Sequence, residues 1–152
     1  PRRIDVTKSP EQQIALMVDA VQPHCDEPLI SAMICGHAGS MASLLSSKFL
    51  GVGGGTTRTS ELPQNMIIAV GPTTIYAFKY KPRGFKIKVK PGWEVARWPR
   101  SSVEVVPGPT GAVSKFTLVT EQGDIYALEV TTAMGGAGAY DIFIASLQAP
   151  PG

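Results

Sequence analysis

The sequence MIIAVGPTTIYAFKYKPRGFKIKVKPGWEVARWPRSSVEVV, residues 66–106, determines most of what can be predicted about this fold. Short apolar runs are separated by turn-forming residues at Gly71-Pro72, Lys81–Gly84 and Pro91-Gly92. Between these turns β-branched and aromatic residues predominate, and both kinds of residue are enriched in strands. The pattern therefore predicts consecutive short strands with tight connections.

Residues 85–90 alternate between apolar and basic side chains in the order Phe85, Lys86, Ile87, Lys88, Val89 and Lys90. Successive side chains of a strand point to opposite faces, so this segment has one apolar and one basic face. Such alternation is typical of an antiparallel strand with one face in water. The preceding strand places Tyr76, Phe78 and Tyr80 on one face in the same way. We expect the apolar residues to build the core and the lysines to face solvent.

A helix is predicted over residues 10–22, ahead of the strands. Ser9 is a suitable N-cap, Pro10 suits the first helical position, and Gln12 has the capping-box spacing from Ser9. Apolar residues with the spacing of one helix face follow at Ile14, Met17, Val18 and Val21. The helix should end before Pro23, because the residue before a proline avoids the α region.

The apolar residues 29–35 are predicted to form the first strand, because the run is too short for a typical helix. Residues 36–61 form an insert between this strand and the next. Within it, Met41–Leu50 has the composition of a short helix, and Gly51–Ser60 is glycine-rich, which predicts a flexible loop.

The clearest hairpin signal lies where Lys115–Thr120 and Asp124–Val130 flank the turn-forming residues 121–123. The alternation in these strands predicts five inward side chains, namely Phe116, Leu118, Tyr126, Leu128 and Val130. After a glycine-rich break, residues 139–147 predict a C-terminal helix.

The bulk composition is that of a folded chain with many turns. Of 152 residues, 43% are hydrophobic and 17% are charged, which excludes a disordered chain and permits a substantial core. The 16 glycines and 13 prolines suit a small domain rich in strands and turns. We therefore predict a single α+β domain over residues 1–152, mainly β, with about seven antiparallel strands, an N-terminal helix and a C-terminal helix.

The cellular location is predicted from cysteines and hydropathy. Cys25 and Cys35 are too few for a disulfide framework, so free thiols in a reducing cytosol are the simpler prediction, and a single disulfide is the alternative. No stretch approaches the roughly 20 apolar residues that span a bilayer. Asp5, Lys8 and Glu11 interrupt the positions where a signal peptide would be apolar. We expect a cytoplasmic protein without a transmembrane segment.

Three segments resemble bacterial pleckstrin-homology-like domains. Met66–Phe78 resembles their strand–turn–strand, in which an apolar strand precedes a threonine-containing turn and a second apolar strand. Val95–Val105 resembles their next element, a short strand with a tryptophan near a bend. The Phe116–Val130 hairpin and the terminal helix complete the order. The resemblance covers about Leu29–Leu147, interrupted by the Gly36–Glu61 insert.

The resemblance implies a curved, partly open antiparallel barrel of about seven strands, closed at one end by the C-terminal capping helix. It also implies a binding or scaffold module for lipids, peptides or partner domains, with no catalytic residues and no cofactor. The N-terminal helix and the insert depart from the simplest pattern, so the strand order and the position of a ligand site stay open.

Basic charge is concentrated in residues 79–100. Eight basic residues and the single Glu94 give this segment a net charge of +7, against +2 for the whole chain, so the remainder is net negative. The candidates for binding an anion are Lys79, Lys81, Arg83, Lys86, Lys88, Lys90, Arg97 and Arg100. Their partner would be an acidic lipid headgroup or an acidic protein. The alternative is a solvated strand face whose lysines protect an edge against aggregation.

Nucleic acid is disfavoured as the partner, because a net charge of +2 gives no overall basic field. Trp93 and Trp98 lie in or beside the basic segment, but binding of single strands requires exposed aromatic rings. We expect both tryptophans to belong to the core.

Other chemistries are poorly supported. The glycine-rich residues 51–57 lack the Gly-Lys-Ser/Thr ending of a phosphate-binding loop. The soft metal ligands His24, Cys25, Cys35 and His37 match neither a zinc-finger spacing nor a nucleophile motif. Carboxylates are dispersed, without a pair suited to acid–base catalysis. The sequence therefore predicts no metal site and no catalytic set.

The prediction is a non-catalytic binding or scaffold module with a basic strand face, peripheral at the membrane if its partner is a lipid. A structural or oligomerisation module is the first alternative, and a small metal- or thiol-dependent enzyme is the second. The oligomeric state and the identity of the ligand stay open.

Overall fold

The computed structural model describes residues 9–37, 56–57, 62–63, 65–83, 86–111, 113–131 and 137–150. Its elements in chain order are α1 (Pro10–Val21), β1 (Ser31–His37), β2 (Thr56–Thr57), β3 (Asn65–Val70), β4 (Thr74–Phe78), β5 (Lys81–Arg83), β6 (Lys86–Lys88), β7 (Glu94–Pro99), β8 (Val103–Pro107), β9 (Val113–Thr120), β10 (Asp124–Thr131) and α2 (Ala137–Gln148). Short 3-10 turns follow α1 at Gln22–His24 and β7 at Arg100–Ser102.

Seven antiparallel strands form the main sheet, in the order β7-β4-β3-β1-β10-β9-β8. Two meanders, one of β1, β3, β4 and β7 and the other of β8, β9 and β10, meet where β1 pairs with β10. The two residues of β2 add a short parallel pairing to β10. The prediction of a mainly β fold with antiparallel strands and two helices is confirmed. The sheet is not closed, since β7 and β8 are its edges.

The start of α1 follows the sequence signal closely. Ser9 accepts a hydrogen bond from the Gln12 amide at 3.1 Å, and the Gln12 side chain accepts one from the Ser9 amide at 2.9 Å. This reciprocal pair satisfies two amides that a helix start leaves without partners. The helix ends at Val21, and the 3-10 turn continues through Pro23.

Strand β1 begins two residues later than predicted, at Ser31. Leu29 donates its amide to the side chain of Gln22, at the end of α1, over 2.8 Å. The backbone of Leu29 is therefore held by the helix and not by the sheet. Of the predicted insert, residues 36–61, only its first two residues and Thr56–Thr57 belong to the described structure. The helix predicted at Met41–Leu50 lies outside the described residues.

Two apolar cores lie on opposite faces of the first meander. The helix-side core includes Ile68 and Ile75 and packs against Phe143 of α2. The hairpin-side core includes Ile67 and Phe78 together with Val21 of α1, and Ile34 of β1 and Ile87 of β6 pack against it. Because β3 and β4 are covered on both faces, their sequences are continuously apolar and do not alternate.

The β9–β10 hairpin has the predicted form. Gly123 closes the turn with a φ of +90°, and its amide donates to the carbonyl of Thr120 at 2.9 Å. All five side chains predicted to point inward are buried in the helix-side core. Helix α2 packs on the helix-side core, whereas residues of α1 and of the segment around the β5–β6 hairpin cover the hairpin-side core.

Candidate anion-binding site

The β5–β6 hairpin lies over the hairpin-side core. Val89 is buried in that core, and Tyr80, Ile87 and Trp93 pack against it. The intervening residues therefore face away from the sheet, as the alternation of Ile87, Lys88, Val89 and Lys90 predicts. The side chains of Phe85 and Lys86 lie outside the described residues.

Four exposed lysines line the outer face of this hairpin. We call them the lysine ladder; its members are Lys79, Lys81, Lys88 and Lys90. Lys81 lies directly opposite Lys88 in the antiparallel register, and Arg83 opposite Lys86 by backbone position. None of the four lysines forms an ion pair with any residue that the structure describes. Within the described part of the chain, the ladder is therefore a row of like charges without a paired carboxylate.

Trp93 fixes one end of the ladder. The ammonium groups of Lys79 and Lys90 each lie 5.5 Å from the centroid of the Trp93 ring. The Trp93 amide donates to the carbonyl of Lys90 at 3.2 Å across Pro91 and Gly92, whose φ is +84°. Proline followed by glycine with positive φ is the pattern of a type II turn. The Lys79 amide donates to the Trp93 carbonyl at 2.9 Å, so backbone bonds hold both lysines beside the indole.

His24 attaches the hairpin to the end of α1. Its Nε2 atom lies 2.9 Å from the carbonyl oxygen of Val89, a distance at which the ring N–H donates to that oxygen. The same ring packs against Phe78, with 6.1 Å between ring centroids. His24 thus helps to hold the hairpin against the end of α1, and its Nε2 atom is engaged in this hydrogen bond.

Arg97 does not join the ladder. Its guanidinium forms a bidentate pair with Glu94, bonds Asp26 at 3.2 Å, and lies over the ring of Tyr76. The hydrogen bond from Arg97 holds the pKa of Asp26 below its usual range, and the bonds to Glu94 raise the pKa of Arg97. Burial raises the pKa of Tyr76 to about 12, helped by its hydrogen bond to Asp26. The charge of Arg97 is therefore paired with carboxylates of the protein itself.

Arg100 also lies apart from the ladder, because it is only 5% exposed. Its guanidinium donates to the carbonyls of Gly71 and Pro72, in the β3–β4 turn, and of Ser146 and Ala149, at the end of α2. Burial lowers the pKa of this guanidinium. The residue predicted to bind an anion instead joins the helix to the sheet.

Glu27 makes a second connection close to this turn. It accepts hydrogen bonds from the amide of Thr73 at 3.2 Å and from its hydroxyl at 2.8 Å. The carboxylate lies where a Cβ on Gly71 would be, so only glycine leaves room for it. Gly71 was predicted from the sequence to be a turn residue, but its contact with Glu27 was not predicted, since nothing local indicates their approach.

We expect Gly71→Ala to lower the free energy of unfolding by about 1–2 kcal/mol, because the new methyl group displaces Glu27 from Thr73. Chemical denaturation measures the change. Glu27→Ala alone removes the same bonds. The double variant Gly71→Ala/Glu27→Ala should therefore be at most about 0.5 kcal/mol less stable than Gly71→Ala. Fully additive losses would show that the glycine matters for another reason.

The metal and thiol alternatives gain no support from the geometry. Burial raises the pKa of Cys25 to about 12 and also raises that of Cys35. Thiols of this kind are weak nucleophiles at neutral pH. Both cysteines are free, and the described residues contain no group of three potential metal ligands. The side chain of His37 lies outside the described part.

The relation between Trp93 and the two lysines around it was not predicted from the sequence. Both tryptophans were expected in the core, and Trp98 does pack there, 5.1 Å from the ring of Tyr126. Trp93 is only half-buried and is shared between the core and the ladder. The signal available was the Pro91-Gly92 turn, which places the residues before and after it side by side.

Among the residues that the structure describes, no helix is both long enough and apolar enough to cross a bilayer. No protein-family model matches this chain, and no similar curated protein was found. The lysine ladder and its surroundings are therefore the features of the molecule that bear on its function.

Proposed function

We propose that this protein is a non-catalytic binding module that attaches to an anionic lipid surface through the lysine ladder. The observation on which the proposal rests is the cross-strand pair of Lys81 and Lys88. Like charges directly opposite each other destabilise a sheet, and here no carboxylate of the described residues relieves the repulsion. An anionic surface would supply the missing countercharge.

The chemistry of the ladder favours a lipid surface over an acidic protein. Recognition of individual carboxylates in proteins is typically performed by arginine, whose planar group binds them through two parallel hydrogen bonds. Arg97 and Arg100 are both engaged inside the protein. Among the described side chains of the basic segment, those exposed without an ion pair are a row of lysines, and the side chain of Arg83 lies outside the described residues. Lysines are point charges on flexible stems and suit a surface of distributed negative charge.

The fold is compatible with a pleckstrin-homology-like scaffold, and we include that scaffold in the proposal. Support comes from two antiparallel meanders of four and three strands and from a C-terminal helix packed on their shared core. In this arrangement the β5–β6 hairpin is inserted in the chain between β4 and β7. The ladder therefore lies on an accessory element outside the main sheet, where its charges do not disturb the core.

Vesicle sedimentation tests the proposal. We expect the protein to sediment with vesicles containing about 30 mol% phosphatidylserine and not with neutral phosphatidylcholine vesicles. Raising the salt concentration from about 0.05 M to about 0.5 M should release it, since screening shortens the range of the attraction. Binding that is indifferent to lipid charge, or no binding, would contradict the proposal. Retention on a polyglutamate resin without vesicle binding would point to an acidic protein instead.

A further inference from the structure

A pocket of about 370 Å³ lies between α1 and the end of β1. Within the described residues, β1 pairs with β10 only at its last two positions, Gly36 and His37, so the two strands are apart at Cys35 and before it. Residues of α1, β1 and β10 line the pocket beside this separation. Its volume is at the lower end of the range of small-molecule sites, which is about 300 to 1,000 Å³.

The walls of the pocket are mainly apolar. Five side chains provide this surface, namely Leu16, Met17, Met33, Ile34 and Val130. The carboxylate among the described lining residues is that of Glu129, which pairs with Lys115 at 3.3 Å, and none of these lining residues is basic. The amides of Gln13 and Asn65 are uncharged. A pocket of this composition suits an aliphatic chain and not a charged group.

Two features of the wall suit a flexible chain in particular. Met17 and Met33 have unbranched side chains that adapt to the shape of a ligand. Leu16 is 44% exposed, so a chain in the pocket would cover apolar surface that water now contacts. Removal of that surface from water would favour binding.

The pocket and the lysine ladder lie at the same end of the main sheet. Gly36, which lines the pocket, is opposite Asn65 at the start of β3. Ile67, two residues further along β3, is opposite Phe78, and Lys79 follows Phe78 as the first member of the ladder. The chain therefore leaves the sheet for the ladder at the end where the pocket is formed.

The hairpin-side core also connects the two features. Met17 and Ile34 line the pocket and pack against this core. Val89 is buried in the same core, between the exposed Lys88 and Lys90 of the ladder. One packed unit thus carries an apolar pocket and a basic face.

We propose that this pocket binds one acyl chain of an anionic lipid whose headgroup lies on the lysine ladder. The inference rests on the proposed function and names the ligand as a lipid molecule, not only a charged surface. The ladder would hold the negative headgroup, and the apolar walls would replace the surroundings that the chain has in the bilayer. A pocket of this volume suits one chain, so the second chain of a diacyl lipid would stay in the membrane.

Decanoyl lysophosphatidylglycerol, used at concentrations where it is monomeric, is the main probe. We expect it to shift the methyl resonances of Met17 and Met33 in protein labelled with ¹³C at the methionine methyl groups. Glycerol 3-phosphate, which has no chain, should leave both resonances in place. The octanoyl homologue should bind about tenfold more weakly, because two fewer methylene groups are buried. Decanoylglycerol has the chain without the charge and should bind at least about fivefold more weakly.

Leu16→Glu and Ile30→Glu are a matched pair of variants. Each lowers the net charge by one, and each replaces an exposed apolar side chain, 44% exposed at Leu16 and 48% at Ile30. Ile30 precedes the other end of β1 and is not among the described residues that line the pocket. We expect Leu16→Glu to weaken lysolipid binding at least about fivefold and Ile30→Glu less than twofold, with Tm unchanged within about 2 °C for both. Equal weakening by the two variants would overturn the pocket as the site.

The soluble probes and the vesicle assay separate this inference from the proposed function. Sedimentation with anionic vesicles but no shift of Met17 or Met33 would overturn the pocket and leave the membrane function in place. Equal shifts by the lysolipid and by decanoylglycerol, without sedimentation, would overturn both the membrane function and the anionic source of the chain. No shift and no sedimentation would overturn both proposals.

Discussion

Arg100→Ala should lower the free energy of unfolding by about 3–5 kcal/mol, a range typical of breaking a buried charged interaction. The guanidinium donates to four carbonyls, those of Gly71, Pro72, Ser146 and Ala149. An alanine side chain has no donor to replace these hydrogen bonds. Two of these carbonyls belong to the end of α2, where a cation also interacts favourably with the helix dipole. The expected fall in Tm is roughly 10 °C, measured by calorimetry or circular dichroism.

Arg97→Ala is the matched control for this experiment. Arg97 lies three residues away, and its side chain is 43% exposed, so its ion pairs with Glu94 and Asp26 are screened by water. Exposed pairs of this kind contribute between zero and about 1 kcal/mol. Arg100→Lys should give an intermediate loss, because one ammonium group cannot reach both the turn and the helix. Equal losses for the two alanine variants would contradict the assigned role of Arg100.

The contrast between these two arginines shows what the sequence could not reveal. Both lie in the same basic segment, and both were assigned to the same anion-binding set from composition alone. Arg100 bonds carbonyls that are 28 to 49 residues away along the chain. Arg97 bonds Asp26, which is 71 residues away, as well as the neighbouring Glu94. A property set by contacts between distant residues leaves no local pattern.

Features set by neighbouring residues were predicted well. The Ser9–Gln12 capping box, the inward residues of the β9–β10 hairpin, and the exposure of Lys88 and Lys90 each depend on a short-range period or spacing. The pairing of β1 with β10 joins residues about ninety positions apart and could not be derived in this way. The lysine half of the candidate site was therefore predicted, and the contribution of Trp93 was not.

Lys88→Glu is expected to stabilise the protein while removing most of its affinity for anionic vesicles. It converts the repulsive cross-strand pair with Lys81 into an attractive one, and such pairs contribute about 0.2–1 kcal/mol. At low ionic strength Tm should rise by roughly 1–3 °C. A lysine near an anionic membrane contributes about 1 kcal/mol, and a glutamate adds repulsion of similar size. The partition coefficient should therefore fall by about thirtyfold.

Charge-matched variants separate the ladder from net charge. Lys88→Gln and Lys115→Gln each remove one positive charge, but Lys115 lies in the other meander and bonds Glu129 at 3.3 Å. We expect about fivefold weaker vesicle binding for Lys88→Gln and less than twofold for Lys115→Gln. Equal effects would mean that only the overall charge of the protein matters.

The double variant Lys81→Glu/Lys88→Glu separates stability from binding, because its stability should return towards that of the unsubstituted protein while its vesicle binding falls further. Two glutamates restore a like-charge pair, so the Tm gained by the single substitution should be lost again. Vesicle binding should fall further, since another positive charge has been reversed. If the lysines only protect the hairpin edge from aggregation, the same reversal of stability would occur, but vesicle binding would be absent from the start. Sedimentation and thermal unfolding of the unsubstituted protein, Lys88→Glu and the double variant therefore distinguish a binding face from a protective one.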